Sequence, residues 1–316
     1  MQLLKQILLR LSFGVVSLLF ISFVTFVADE VAPGDAATIQ AGEKARAEDV
    51  EALRRRMGLD RPWPIRYVEF VGNAVRLDFG NSYTGAREPV SKIILRGLSM
   101  TLRVASLAIL LAAGLGILLG TIAAVRQNRF ADRAVLTLST LGVTVPNFVL
   151  APVLVYIFAL QLDVLPQTWE VNRVAPDFYY LLLPVVILAL RPMAMLTRLT
   201  RASVVDTMQQ EFVRLAVAKG VPPLRLVFKH VLRNALLPVV TAIGTSFGFL
   251  LTGSFIVERA FVIPGLGREA IEAIQKRDTP VIQATVLLAG ALFILVNLLV
   301  DLLLPLLDPR IREAQV

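Results

Sequence analysis

Few side chains in this 316-residue chain are equipped for covalent chemistry. It contains no cysteine, which excludes disulfides, thiolate nucleophiles and cysteine-bound zinc or iron–sulfur centres but leaves the redox compartment undetermined. The single histidine, His230, lies among basic residues, so the chain has no H-E-x-x-H metal motif, and a buried serine nucleophile would have no histidine base beside it. His230 reads as a surface or docking residue. No G-x-x-x-x-G-K-[ST] phosphate loop occurs, so nucleotide hydrolysis by the usual route is not this chain's chemistry. Neither a metal nor a cofactor is expected on it.

What remains are ionisable and hydroxyl groups embedded in apolar sequence. A charge at the centre of a bilayer costs about 2.5 to 3.5 kcal/mol even on lenient insertion scales, so each needs a reason. Arg191, followed by Pro192, calls for a water-filled pathway, a substrate anion or a partner carboxylate; a pathway role and a structural ion pair are equal readings. Arg103 sits near a helix end and can snorkel. Asn297 and Asp301 share a face at i, i+4, where a structural partner suits them best. Thr241, Thr245, Ser246, Thr252 and Ser254 load one apolar run with hydroxyls. Each can bond its own helix, yet as a group they mark that helix as a candidate pathway wall.

The elements that position these groups must be membrane helices. The chain is 56% hydrophobic and 18% charged, with mean hydropathy +0.70, more than a soluble core of this length can hide. Runs long enough to cross a bilayer, which needs roughly 20 helical residues, fall near 9–28, 101–125, 134–160, 179–197, 236–257 and 283–306. The expected fold is all-α: six transmembrane helices, an external helical segment between the first and second, and a cytoplasmic loop between the fourth and fifth. The first run exceeds a signal-peptide core and reads as an uncleaved anchor. This divides the chain into an anchor (1–28), an external segment (29–98), a five-helix core (99–307) containing the loop 198–234, and a tail (308–316).

Arg126, Arg129 and Arg133, the basic residues from Arg198 to Arg233, and Arg310 and Arg312 fall on one side of these spans. The loop 161–178 on the other side carries only Arg173, so the positive-inside rule places both termini in the cytoplasm. The net charge of +8 is accounted for by these clusters beside apolar runs, where anionic lipid headgroups attract them, and nucleic acid is not an expected partner. Within the external segment, Ala47–Met57 reads as a short helix stopped by Gly58, and Ile65, Val68, Val71 and Val75 keep helical spacing on a second after the Asp60, Pro62, Pro64 turn. A small lid over the outer mouth is a better reading than a dedicated ligand-binding domain, because so short a segment buries little core. Ala112, Gly116, Gly120 and Ala124, and again Gly244 and Gly248, form small-residue stripes for close helix packing. Pro146, Pro152 and Pro184 permit bends in the third and fourth spans.

The stretch 200–234 is too polar to span and too patterned to be slack. Met208, Phe212 and Leu215 form an apolar stripe on a helix closing at Lys219 and Gly220. Pro222 and Pro223 open a second, with Leu224, Val227, Phe228 and Val231 on one face and Arg225, Lys229 and Arg233 largely opposite. The resulting elbow could lie on the lipid surface or seat in a groove on a cytoplasmic partner.

Here the chain resembles the inner-membrane permeases of binding-protein-dependent ABC importers, in the first-permease type of the dipeptide and oligopeptide branch. Glu211-Phe-Val-Arg-Leu-Ala-Val-Ala-Lys-Gly220 followed by His230-Val-Leu-Arg-Asn-Ala-Leu-Leu-Pro238 is similar to that branch's EAA loop. Ala216 and Gly220 match, whereas Arg214 and Leu215 replace the leading Glu and first Ala of the general motif. Pro33-Gly-Asp35, Gly58-Leu-Asp-Arg-Pro62, Asp78-Phe-Gly80 with Ser82, Arg259-Ala-Phe-Val-Ile-Pro-Gly-Leu-Gly267 and Leu307-Asp-Pro-Arg310 extend the resemblance along nearly the whole chain.

The resemblance implies a bacterial inner-membrane permease subunit that is not itself an enzyme. Its EAA loop, with Glu211, Arg214, Ala216, Gly220 and His230, would couple to one of two separate ABC ATPases that bind ATP and Mg. A homologous second permease would complete the pathway, and an external solute-binding protein would deliver peptides or similar solutes. A secondary transporter is the nearer alternative, an intramembrane enzyme the more distant one. The former would lean on deep acidic residues or inverted repeats, which the sequence does not clearly offer.

Overall fold

The computed structural model describes residues 2–32, 34–42, 44–170 and 176–307. Pro33, Arg173 and the tail with Asp308, Arg310 and Arg312 lie outside the described residues. The fold is all-α, and among the described residues the sole extended pairing is an isolated bridge between Asn81 and Pro89. Among the described residues, five helices are long and apolar enough to cross a membrane: Leu8–Val31, Val90–Val125, Asp177–Met208, Pro223–Gly253 and Thr279–Leu302.

The expected third span departs from a single rod. It is two helices, α6 (Phe130–Thr144) and α7 (Asn147–Val155) with its extension to Gln161, bent by 102°. Counted as one broken span, it makes the sixth. Pro146 has no N–H to give and disfavours helical backbone in the residue before it, and Val145 is extended at φ −84°, ψ 119°. Pro184 and Pro192, by contrast, are accommodated inside the unbroken α8 (Asp177–Met208). The chain leaves α7 through a π-helical turn, Tyr156–Gln161, shortly after the internal Pro152.

The chain forms two compact units. Unit one comprises Met1–Leu102 and Val262–Ile294; unit two comprises Arg103–Phe261 and Leu295–Val316. The proposed 29–98 segment is thus not self-contained: α1 (Gln2–Val31) runs into it, α5 (Val90–Val125) begins inside it, and it folds together with 262–294.

In unit one, α2 (Ala36–Ala41), α3 (Ala47–Arg56) and α4 (Trp63–Val75) follow the anchor. Gly58, at φ +68°, ends α3 as expected: its N–H reaches the Arg55 carbonyl and the Leu59 N–H reaches that of Arg54, the double bond of a left-handed glycine cap. Tyr67 of α4 packs edge-on against Phe23 and Phe26 of α1, and its hydroxyl meets Ser22 at 3.0 Å. Val90 and Ile94 of α5 share a core with Leu266 and Ala273 of α13 (Leu266–Lys276) and Val281 and Ala284 of α14 (Thr279–Leu307).

In unit two, α8 is the hub, packed on α6, α7, α9 (Glu211–Ala218), α11 (Leu232–Gly253) and α12 (Phe255–Ala260). The small-residue stripe of α5 faces it. A methyl added at Gly116 would stand 2.9 Å from Leu196 Cβ, and one at Gly120 would stand 2.5 Å from the Thr197 carbonyl oxygen. Backbone meets backbone there, which only glycine permits. Gly244 gives Val300 the same room, and Gly248 is buried.

Candidate functional site: the elbow and the helix faces beside it

The fourth membrane helix does not stop at its expected end near residue 197; α8 continues to Met208, so the loop proper is shorter than 198–234. After Gln209 and Gln210, α9 runs to Ala218 and closes on Gly220 at φ +74°. The Gly220 N–H donates to Val217 at 2.9 Å and the Val221 N–H to Ala216 at 3.2 Å, so Gly220 terminates the helix and redirects the chain. Pro222 and Pro223 begin α10 (Pro223–Arg225), which passes through a π-helical turn (Leu226–Val231) into α11.

This elbow has an inner and an outer face. Val213, Ala216, Leu226, Val227, Val231 and Leu232 are buried with Ala124 of α5, Val204 of α8 and Ala235 of α11. Phe212, Leu215, Val217, Leu224 and Phe228 point outward, 42 to 76% exposed, among exposed Glu211, Arg214, Lys219, Arg225 and Lys229. The expected apolar face of 224–231 is therefore split: Val227 and Val231 go in, Leu224 and Phe228 stay out. The wider π-helical turn, with more than 3.6 residues per turn, shifts the register that an α-helical reading assumes.

The sequence-identified coupling residues distribute accordingly. Ala216 is buried beneath the elbow and Gly220 shapes it; neither offers a side chain to a partner. Glu211 and Arg214 are exposed, and His230 is half-buried, its carbonyl accepting the Asn234 amide at 2.8 Å. The outward apolar residues were only partly legible, because periodicity identifies apolar positions but not which are covered.

Beneath the elbow, Asp132 of α6 is 2% exposed and receives Arg201 of α8 in a two-pronged pair at 2.5 and 2.7 Å, plus the Asn128 N–H at 2.8 Å. Sixty-nine residues separate the pair, and no local pattern announces it. Together with Gly120 it fastens the C-terminal parts of α5 and α8 to the start of α6.

The pathway candidates lie on two helices. Arg191 is exposed and has no ion-pair or hydrogen-bond partner among the described residues. It heads an exposed stripe on α8 with Met195, Arg198, Ala202 and Asp206, below a stretch of the same helix buried all round. Thr241, Thr245 and Thr252 are half-buried, and each donates to a carbonyl one turn back, while Ser246 is 9% exposed. Arg103, expected to snorkel, pairs with Asp177 at 2.8 Å. Asn297 and Asp301 are half-buried and engaged. No group of three metal-binding side chains occurs among the described residues.

Comparison with known proteins gives this architecture its family. Residues 116–313 match the binding-protein-dependent transport system inner membrane component, and residues 3–105 match the N-terminal part of such membrane components. The chain is 37% identical over 310 residues to a probable peptide ABC transporter permease protein of Sinorhizobium fredii, covering 97% of this chain and 98% of that one. It is 39% identical to a dipeptide transport system permease protein of Bacillus subtilis, with 94% of each covered. It is 38% identical to a glutathione transport system permease protein of Escherichia coli strain K12, with 98% of this chain and 99% of that one covered. The chain belongs to the family of inner-membrane components of binding-protein-dependent transport systems: it is a multi-pass transmembrane permease subunit of an ABC importer.

Proposed function

We propose that this subunit forms half of a translocation pathway for peptides or similar small solutes in a bacterial inner membrane, and that its elbow is the docking point for a separate ATPase. A homologous permease supplies the other half. Two ABC ATPases bind ATP and Mg and drive the cycle, and a solute-binding protein delivers the cargo to the side carrying the 32–89 segment. Both termini face the cytoplasm, in keeping with the basic segments around Arg126–Arg133 and Arg198–Arg233. Peptide-class cargo rests on the relatives' names and on the motifs quoted above.

The observation that carries the docking role is the outward apolar patch on the elbow. Phe212, Leu215, Leu224 and Phe228 are left uncovered by the subunit, while their immediate neighbours are locked into its core. A patch so mounted transfers a push to α5, α8 and α11 instead of absorbing it. Arg191 and Arg198 on the exposed α8 stripe, with Thr241, Thr245, Ser246 and Thr252 on α11, form a polar pathway wall, since arginines on a membrane helix need water, a substrate anion or the second permease opposite them.

In proteoliposomes containing all subunits, the double variant Leu215→Ser with Phe228→Ser is expected to insert normally and to lose at least about tenfold in ATPase affinity. Solute-stimulated ATP hydrolysis falls with it. Full stimulation in that variant would remove the docking role and leave the patch as a lipid-surface anchor.

A further inference from the structure

We infer that unit one holds a small-molecule site of its own, a cavity of about 250 Å³ that takes a zwitterionic amide of dipeptide size through Gln283 and Tyr83. The inference extends the peptide reading of the pathway to a second, separate place on the chain. The cavity is bounded by α1, the α3–α4 turn, α4, the 78–83 loop and the start of α14, with Phe26, Phe70, Phe79 and Pro280 supplying its apolar surface.

Gln283 is the telling residue. It is 6% exposed and lines the cavity, and among the described residues its amide has no hydrogen-bond partner. Its amide is not among the fully buried unpaired side-chain atoms, of which Thr200 Oγ1 is the one found among the described residues, so its two donors and acceptor keep access to the cavity that it lines. Its donor-plus-acceptor pattern complements a peptide bond. Tyr83, lining the same cavity, adds a phenol that burial pushes up to about 12, keeping it a neutral O–H donor at any physiological pH.

Both groups are referenced to one anchor. Asp278, 1% exposed, accepts the Tyr83 N–H at 3.1 Å, the Thr84 hydroxyl at 2.9 Å and the Ser82 hydroxyl. Its own carbonyl takes the Ile282 N–H at 3.0 Å in the first turn of α14, one residue before Gln283. The loop bearing Tyr83 and the helix bearing Gln283 are thus held in register.

The charges around the cavity come in both signs. Arg61 pairs with Glu69 at 2.6 Å, Arg66 with Glu30 at 3.0 Å, and Asp78 contributes a further carboxylate. A simple anion would face Glu69 and Asp78, and a simple cation would face the two arginines. A zwitterion satisfies both sets, and the volume lies just below the roughly 300 Å³ at which drug-sized pockets begin, so it suits two residues and not a long chain.

The test uses the purified full chain in lipid nanodiscs, without ATPases, and equilibrium binding of radiolabelled alanylphenylalanine. Saturable binding is expected, about tenfold weaker in Gln283→Leu and severalfold weaker in Tyr83→Phe. N-acetylation or C-amidation of the dipeptide should each weaken it. Unchanged thermal unfolding of either variant shows that its fold is intact, and Tyr83→Phe serves if Gln283→Leu unfolds. No saturable binding at millimolar dipeptide, or equal binding by wild type and both variants, overturns the site and assigns the Gln283 amide to ordered water. In that event normal uptake by the fully assembled transporter would leave the permease reading standing.

Discussion

The two units solve the problem of holding a shape with different materials. Unit two is built on close approach: Gly116 and Gly120 lay α5 against the backbone of α8, Gly244 admits Val300, and an apolar core backs the elbow. Unit one has a smaller core; beside a close approach of Gly97 to the Leu266 backbone, its crossings carry polar ties, with Asp278 gathering the 82–84 loop and Arg277 reaching Asp29 and the carbonyls of Ala32 and Gly34. Close apolar contact resists deformation and passes displacement on. Polar ties set a geometry while leaving room for water and ligand. The contrast fits a subunit that receives force in unit two, where the proposed pathway wall on α8 and α11 also lies, and that holds its second, polar site in unit one.

The sharpest way to break the contrast is at Gly120. Gly120→Leu, placing atoms where a carbonyl oxygen lies 2.5 Å from the first added carbon, is expected to cost about 4 kcal/mol or more and to collapse the yield of folded protein. The fraction recovered as a monodisperse peak after detergent extraction measures it. Asp132→Ala comes next. It leaves the Arg201 guanidinium uncompensated and should lower stability by roughly 3 kcal/mol, read as a drop in thermal midpoint, with Asp132→Ala plus Arg201→Leu recovering most of it.

In unit one the effects shrink. Asp278→Asn weakens acceptance from two hydroxyls and an N–H, at about 1 to 2 kcal/mol, and should show as faster proteolysis near Arg87 with the global midpoint little changed. The smallest effect is a titration. Burial, and then the charge of Glu272, hold the Glu269 carboxyl above its ordinary value, with Arg96, Arg268 and Lys276 opposing. A group raised in the folded state favours folding while protonated. Its contribution is therefore complete below the ordinary glutamate value and lost as pH rises through the folded one. The unfolding midpoint should decline slightly over that interval in the wild type and stay flat in Glu269→Gln.

Much of this architecture was legible in the residues. Hydrophobic runs gave the membrane helices, the stripe through Gly116 and Gly120 gave a close-packed face, and Gly58, Gly220 and the Pro222–Pro223 pair gave helix ends where they occur. Each of these is a local effect, written in a few neighbouring residues. The bend after Val145 was half-legible: Pro146 was visible, but the apolar run continues through it and hydropathy carries no angle. The remainder depends on residues far apart in sequence. Asp132 finds Arg201 across 69 residues and Asp278 finds Thr84 across 194, and no periodicity records such meetings. Helix α13, which begins at the last two residues of the Arg259–Gly267 motif, is not legible because it lies between the fifth and sixth apolar runs. The inner and outer faces of the elbow were blurred because a π-helical turn moves side chains off the 3.6-residue period.

We propose that an ATPase covers the elbow's outer apolar patch in the working complex. The chain has no cysteine, so Leu215→Cys introduces a single thiol whose labelling can be followed without background. In nanodiscs, a water-soluble maleimide should label this variant rapidly in the permease alone and at least about tenfold more slowly once the ATPase subunits are added. Labelling at the same rate with and without the ATPases would contradict the account.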